Sequence, residues 1–169
     1  MDDSIKITEE TDINLYRPNA GIIVVNREGK VLSARRNDVK IHAWQMPQGG
    51  IDEGEDILAA ARRELFEETG IPKEDVELIA IHPDWLKYDW AKVRKDGIVG
   101  QRQKWFLFHY KGDDSTIDVT KVSEVEFDEW KWANVDTVIS EAVDFRKPIY
   151  EAVFETFKNK ITHPNVEKV

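Results

Sequence analysis

The feature that most constrains this chain lies in residues 49–71, where a helix with clear start and stop signals carries an unusual load of acid. Ile57, Ala61 and Leu65 recur every four residues, Asp56 is placed to cap the first turn, and Gly70 followed by Ile71-Pro72 ends the run, which predicts a helix over residues 57–69. Glu64, Glu67 and Glu68 stand at i, i+3 and i+4 of that helix and therefore share one face. With Asp52, Glu53, Glu55 and Asp56 they make seven acidic side chains in seventeen residues. Like charges so close repel, so the arrangement is cheap only if cations or bases neutralise part of it. Hard divalent cations prefer carboxylate oxygen, and Arg63 is placed to orient a carboxylate from behind. Gly49-Gly50 supplies a turn whose carbonyls can approach a metal. From density alone, a solvated acidic helix face is the better explanation of the run.

Around this helix the pattern is that of one mixed domain. The 169 residues suffice for a single core, and 41% hydrophobic with 34% charged residues fits a packed globule with a solvated surface. We read residues 1–169 as one domain with its core at about 15–158 and flexible ends at 1–12 and 159–169. Residues 20–25 predict a buried strand, residues 26–29 a turn and residues 30–35 its hairpin partner. Further strands are expected at about 76–82, 103–110 and 129–133. Helices are expected at 135–143 and 148–158, the second with Pro148 in its first turn, and 159–169 reads as a frayed tail. This order suits helices on a mixed sheet, α/β or α+β.

Several chemistries are excluded or left without support. Zero cysteines remove disulfides, thiolate ligands and a Cys nucleophile. His42, His82, His109 and His163 are scattered without metal spacing, and no serine has a His and an acid patterned around it as a nucleophile. The longest aliphatic run, residues 22–25, is too short to span a bilayer, and the acidic start Met1-Asp2-Asp3-Ser4 is not an export signal, so the expected location is the cytoplasm and no membrane partner is expected. A net charge of −9 argues against extended nucleic-acid binding, and no DNA partner is expected.

The helix and its flanks together decide between the two explanations of the acid. Gly49-(x5)-Glu55-(x7)-Arg63-Glu64-Leu65-x-Glu67-Glu68-x-Gly70-Ile71 matches every specified position of the signature of the Nudix hydrolases, which the chain resembles. Chance agreement is on the order of one in ten million for a chain of this length. The resemblance implies a three-layer α/β/α sandwich around a mixed sheet, with a loop-helix-loop metal site at residues 49–71. It also implies hydrolysis of a nucleoside-linked phosphoanhydride by water with Mg²⁺, which Mn²⁺ or another divalent metal can replace. Outside the signature, Tyr16-Arg17-Pro18-Asn19, residues 43–51, Trp85-Leu86-x-Tyr88, residues 100–106 and residues 126–132 look like the bacterial RNA pyrophosphohydrolases and the related dinucleoside polyphosphate hydrolases. Residues 134–150 look equally like the plant members of the second group.

By this resemblance Gly49, Glu64, Glu67, Glu68 and Glu126 hold metal, Glu55 and Arg63 support them, and either Glu126 or Glu64 takes the water proton. Arg35, Arg36 and Lys104 are candidates for the phosphates. Arg17, Tyr88, Gln101, Phe145 and Arg146 are candidates for phosphate or base, since unstacked bases bind on aromatic or guanidinium planes. Trp44, Trp105, Trp130 and Trp132 are assigned mostly to the core. The expected substrate is a 5′-triphosphorylated RNA end, losing pyrophosphate to leave a monophosphate. Diadenosine tetraphosphate is the alternative. A non-catalytic ligand-binding module and a nucleotide-pool sanitiser fit less well, the former because no glutamate of the signature is missing.

Overall fold

A computed structural model describes residues 15–38 and 43–162. The strands are β1 (Tyr16–Val25), β2 (Val31–Arg36), β3 (Trp44–Gln45), β4 (Gln48–Gly50), β5 (Val76–Ile81), β6 (Leu86–Asp89), β7 (Gly100–Tyr110) and β8 (Phe127–Ala133). The helices are α1 (Ile57–Thr69), α2 (Val135–Glu141) and α3 (Lys147–Thr162). The strands join in one mixed sheet with the path β3-β2-β1-β7-β5, to which β4 adds beside β1, β6 beside β7 and β8 beside β2. Its spine is the parallel pairing of β1 with β7, in register from Tyr16↔Gly100 to Val25↔His109.

Helices cover both faces, which is why β1 reads as an unbroken apolar run with no alternation. On one face Ala61 and Leu65 of α1 pack with Ile22, Val24, Phe106 and Phe108. On the other, Tyr150, Val153, Phe154 and Phe157 of α3 and Val138 of α2 pack with Ile23, Val25, Trp105 and Leu107. Each fully buried side chain of this size contributes roughly 1.5–3 kcal/mol of transfer free energy, so both layers are strongly driven. This is the expected three-layer sandwich.

The local signals act as the sequence suggests. Asp56 caps α1 by accepting from the Ala59 amide at 3.0 Å, and Gly70 closes it at φ 78°, where a side chain is strained. The Asn26 carboxamide accepts from the amides of Glu28 and Lys30, holding the first hairpin turn. That hairpin then opens: Val25↔Val31 is its recorded β1–β2 pair, and β2 runs along β8 while β1 runs along β7. Four expectations are corrected. β1 starts at Tyr16 and β7 at Gly100, earlier than their apolar segments, because paired strands extend into polar residues that a neighbour satisfies. The short strands β3, β4 and β6 carry no clear strand composition, and pairing alone makes them. α2 ends at Glu141, and Asp144–Arg146 forms a 3₁₀ turn leading into α3. α3 runs on to Thr162, past the end expected at residue 158, because Ile161 is buried against the core. Residues 1–12 and 163–169, with His42 and His163, lie outside the described residues.

Candidate active site

The site grows from the middle of β1, at Asn19 to Gly21. β4 pairs antiparallel with β1 through Asn19↔Gly50, Ala20↔Gly49 and Gly21↔Gln48, so the expected Gly49-Gly50 turn is instead a short strand leading toward α1. A Cβ on Gly49 would sit 1.9 Å from Glu64 Oε2 and 2.0 Å from its Cδ, so the Glu64 carboxylate occupies the space that the glycine leaves. This contact explains the glycine without any appeal to unusual torsion angles.

Arg63 ties β4 to the helix. Its Nε donates to Glu55 at 2.8 Å, and a terminal nitrogen donates to the same carboxylate and to the Gly50 carbonyl, both at 2.9 Å. The other terminal nitrogen reaches Glu64 at 2.9 Å and Glu67 at 3.2 Å. The guanidinium holds the Glu55 carboxyl down at about 2, aided by the Asp52 amide backbone, and is itself pushed further above its ordinary value.

Glu68 is buried at 4% exposure and accepts from the Gln48 amide at 3.0 Å. Burial pushes its carboxyl well above the usual range, and Glu126, within hydrogen-bonding reach, pushes it further. Glu64 is raised as well, chiefly by burial, with Glu67 and Glu126 adding repulsion against the pull of Arg63. A buried carboxyl in contact with a second, exposed one at Glu126 needs either a shared proton or a cation between them. The donor set is therefore hard oxygen, assembled where negative charge is costly, and it fits a divalent cation. Among the described residues, no three acidic or histidine side chains are already drawn together at ligand geometry. The reason is visible: Arg63 holds Glu64 and Glu67, and Gln48 holds Glu68.

Glu126 and the helix glutamates thus come from separate segments to one place. Glu126 is fixed by its backbone, whose carbonyl accepts from the Asn37 amide at 2.9 Å. Arg17 reaches the same rim, its guanidinium 3.4 Å from the point where a Cβ of Gly50 would lie.

Beside this centre is a second group of expected residues. The Tyr88 hydroxyl donates to Gln101, across the β6–β7 pair Tyr88↔Gln101, and the Tyr88 ring lies 5.4 Å from that of Phe145. Phe145 is 53% exposed, an open aromatic face on the 3₁₀ turn before α3. The Arg146 guanidinium sits 4.9 Å over Phe145 and donates to Gln45 at 3.2 Å. In β1 and β7 Arg17 and Gln101 are register partners, so one strand pair links the acid centre to this aromatic slot.

Other expectations are redirected. Arg35 is engaged by Asp128 at 2.8 Å and Glu129 at 3.3 Å, so its charge is already shared with β8. Arg36 lies at the β2 bulge opposite Phe127. Lys104 donates to the Pro83 carbonyl at 3.0 Å and lies over Trp85, while strand alternation puts it on the opposite face from Gln101 and Gln103. Of the four tryptophans assigned mostly to the core, Trp105 is fully buried, Trp130 and Trp132 are half-buried and packed against the core, and Trp44 is half-buried with Lys131 at 4.1 Å over its ring.

Two contributors escaped the sequence reading. Gln103 is buried and donates to both Asn19 and Gln48, bracing the loop that leads to Gly49. The Tyr150 hydroxyl, pushed up to about 12 by burial, accepts from the Met46 amide at 3.0 Å and fixes the same loop from the α3 side. His82, buried and held below its ordinary pKa by that burial, bridges the Asp84 amide and Thr156 away from the acid centre. A glutamine alternating with tryptophan in a core strand was the available signal for Gln103.

Comparison with known proteins agrees with this geometry. The NUDIX domain model matches residues 15–153, and the chain belongs to this family of hydrolases. It is 45% identical over 148 residues to an RNA pyrophosphohydrolase of Cereibacter sphaeroides, covering 85% of this chain and 91% of the relative. Among solved structures it is similar to the E. coli dihydroneopterin triphosphate pyrophosphohydrolase, at TM-score 0.67 and 21% identity over 86% of this chain and 99% of that one. A C. elegans Ap4A hydrolase complex superposes at TM-score 0.65 and 21% identity, covering 85% and 98%. At that identity the two structures speak for the fold. The enzyme is accordingly a pyrophosphohydrolase, in a family whose members generally use divalent metal, and no described helix is long and apolar enough to cross a membrane.

Proposed function

We propose that this enzyme removes pyrophosphate from the 5′-triphosphate end of RNA, leaving a 5′-monophosphate, with Mg²⁺ as the working metal and Mn²⁺ or another divalent ion able to replace it. The observation that carries the reading is the register link between the acid centre at Gly49, Glu64, Glu68 and Glu126 and the Arg17, Tyr88, Gln101 and Phe145 group. Phosphates and bases of one short 5′ end are accommodated side by side. The relatedness to RNA pyrophosphohydrolases over most of the chain supports the same choice.

Gly49, Glu64, Glu67, Glu68 and Glu126 would hold the metal, whose positive charge answers both the polyphosphate and the carboxylates and acidifies the attacking water. Arg63 positions the Gly50 carbonyl and two of the glutamates, and it must yield part of its hold on Glu64 and Glu67 when they take a cation. Gln48 and Gln103 keep β4 and its two glycines in place. Glu64 or Glu126 receives the water proton. Burial holds the Glu64 carboxyl above its ordinary value, where a carboxylate is a stronger base than in water, and Glu126 touches Glu68 beside it. Arg17 grips phosphate at the rim, and Phe145 with Tyr88 stacks a base while Arg146 braces the slot.

The test is the specificity constant for a short 5′-triphosphorylated RNA against that for diadenosine tetraphosphate, at one Mg²⁺ and salt concentration. Faster release of pyrophosphate from the RNA is expected. A tenfold or larger preference for the dinucleotide overturns the substrate choice and makes dinucleoside polyphosphates the working substrate.

A further inference from the structure

The chain is acidic overall, yet one segment reverses the sign. Residues 84–104 contain six Lys and Arg against three Asp, a net of +3 in a protein of −9, which leaves −12 for the remainder. The segment is the β6–β7 ribbon with its connecting loop, and its cations lie on aromatic rings. Arg94 is 5.3 Å over Trp90, Lys87 5.1 Å over Tyr16 and Arg102 4.2 Å over Trp85. Stacked cation and ring pairs offer both a phosphate ligand and a π-face.

The loop at residues 90–97 has a defined shape. Trp90 donates to the Val99 carbonyl at 2.8 Å, Arg94 to Ile98 at 2.9 Å and Gly97 to Arg94 at 2.9 Å, while the Arg94–Asp96 ion pair closes the turn. This framework leaves Lys92, Val93 and Lys95 exposed, Val93 at 64%. Among the described residues no acidic side chain pairs with Lys92 or Lys95. The loop also continues the aromatic slot: Trp90 follows Tyr88 by two residues and its indole reaches the Tyr88 hydroxyl. Lys92 is four residues from Tyr88, a reach of no more than about 14 Å along the chain.

Resting on the RNA reading above, we propose that the loop of residues 90–96 is a landing surface for nucleotides downstream of the hydrolysed 5′ end. Lys92 and Lys95 take backbone phosphates, and the Trp90–Arg94 stack takes a base. Single-stranded nucleic acid fits better than a protein partner because the surface alternates cations with rings and leads out of a base slot. Such a track gives length-dependent affinity in a protein whose remaining charge repels RNA. A dinucleoside polyphosphate ends before it.

The experiment compares the wild type with Lys92→Gln/Lys95→Gln, which leaves the Arg94–Asp96 turn intact, on a triphosphorylated dinucleotide and a triphosphorylated unstructured ten-nucleotide RNA. The ten-nucleotide RNA should be the better substrate through KM, and the double variant should lose roughly three- to tenfold in kcat/KM on it alone. Its salt slope, log kcat/KM against log salt, should become shallower by about 1 to 1.5. A charge-reversed Lys92→Glu/Lys95→Glu variant with an unchanged melting temperature should deepen the loss. Equal wild-type efficiency on the two lengths, or equal loss by the variant on both, overturns the landing surface. Hydrolysis of diadenosine tetraphosphate with neither RNA cleaved overturns the RNA reading itself, and the proposal with it.

Discussion

Replacing Gly49 by Ala tests the metal centre at its tightest point. The added methyl would stand 1.9 Å from Glu64 Oε2, and ordinary contact begins near 3.4 Å, so the carboxylate must retreat by about 1.5 Å. The displaced atoms are the end of a side chain, and Gly49 does not have the positive φ that would strain alanine, so the backbone has no need to move. Glu64 keeps or loses one hydrogen bond to Arg63, which limits the stability cost to about 1–2 kcal/mol. Catalysis has no such tolerance, since a misplacement of about 1 Å can cost on the order of 10²-fold. The variant should therefore melt within a few degrees of the wild type while kcat/KM falls by about 10²-fold or more and the Mg²⁺ requirement rises. Steady-state kinetics across a Mg²⁺ titration, beside thermal melts in EDTA, measures both. Near-normal kcat/KM with an unchanged Mg²⁺ dependence would refute the placement of Glu64 at the metal.

Glu67→Gln should lower turnover by several orders of magnitude without unfolding the protein, because it removes a ligand and one like charge; near-normal activity counts against the site. Arg63→Ala should cost about 2 kcal/mol in urea unfolding, through loss of its charge-assisted bonds to Glu55 and the Gly50 carbonyl, discounted for partial exposure. Tyr150→Phe leaves the buried Met46 amide unpartnered and should cost about 1–3 kcal/mol. In the metal-free enzyme Glu68 has a raised carboxyl, so folded protein binds its proton more tightly than unfolded chain. Its contribution is fully present below the usual glutamate range and is lost as pH rises through the raised value. Melts of wild type and Glu68→Gln in EDTA should therefore diverge above about pH 4.5, the variant gaining as pH rises, and Mg²⁺ should close the gap; parallel curves exclude the buried-carboxyl account.

The catalytic helix was legible because its information is local. Asp56, the Ile57/Ala61/Leu65 spacing, the glutamate face and Gly70 act within one helix, where 3.6-residue geometry converts spacing directly into position. The reading of Glu64, Glu67 and Glu68 as one acidic face, and of residues 20–25 as a buried strand, needed no long-range contact. Tertiary structure decided everything that depends on pairing. Gln48-Gly49-Gly50 becomes a strand through β1, Tyr88 meets Gln101 and Phe145 through the β6–β7 ladder and the turn before α3, and Glu126 reaches Glu68 across 58 positions of sequence. It also decided the charges: Arg35 is answered by Asp128 and Glu129, whereas the ribbon at residues 84–104 gathers cations onto rings. Spacing in sequence reports which residues share a face of one element, but cation partners and the contact of Glu126 with the buried Glu68 arise between elements, where register, burial and the low dielectric of the interior set their energies.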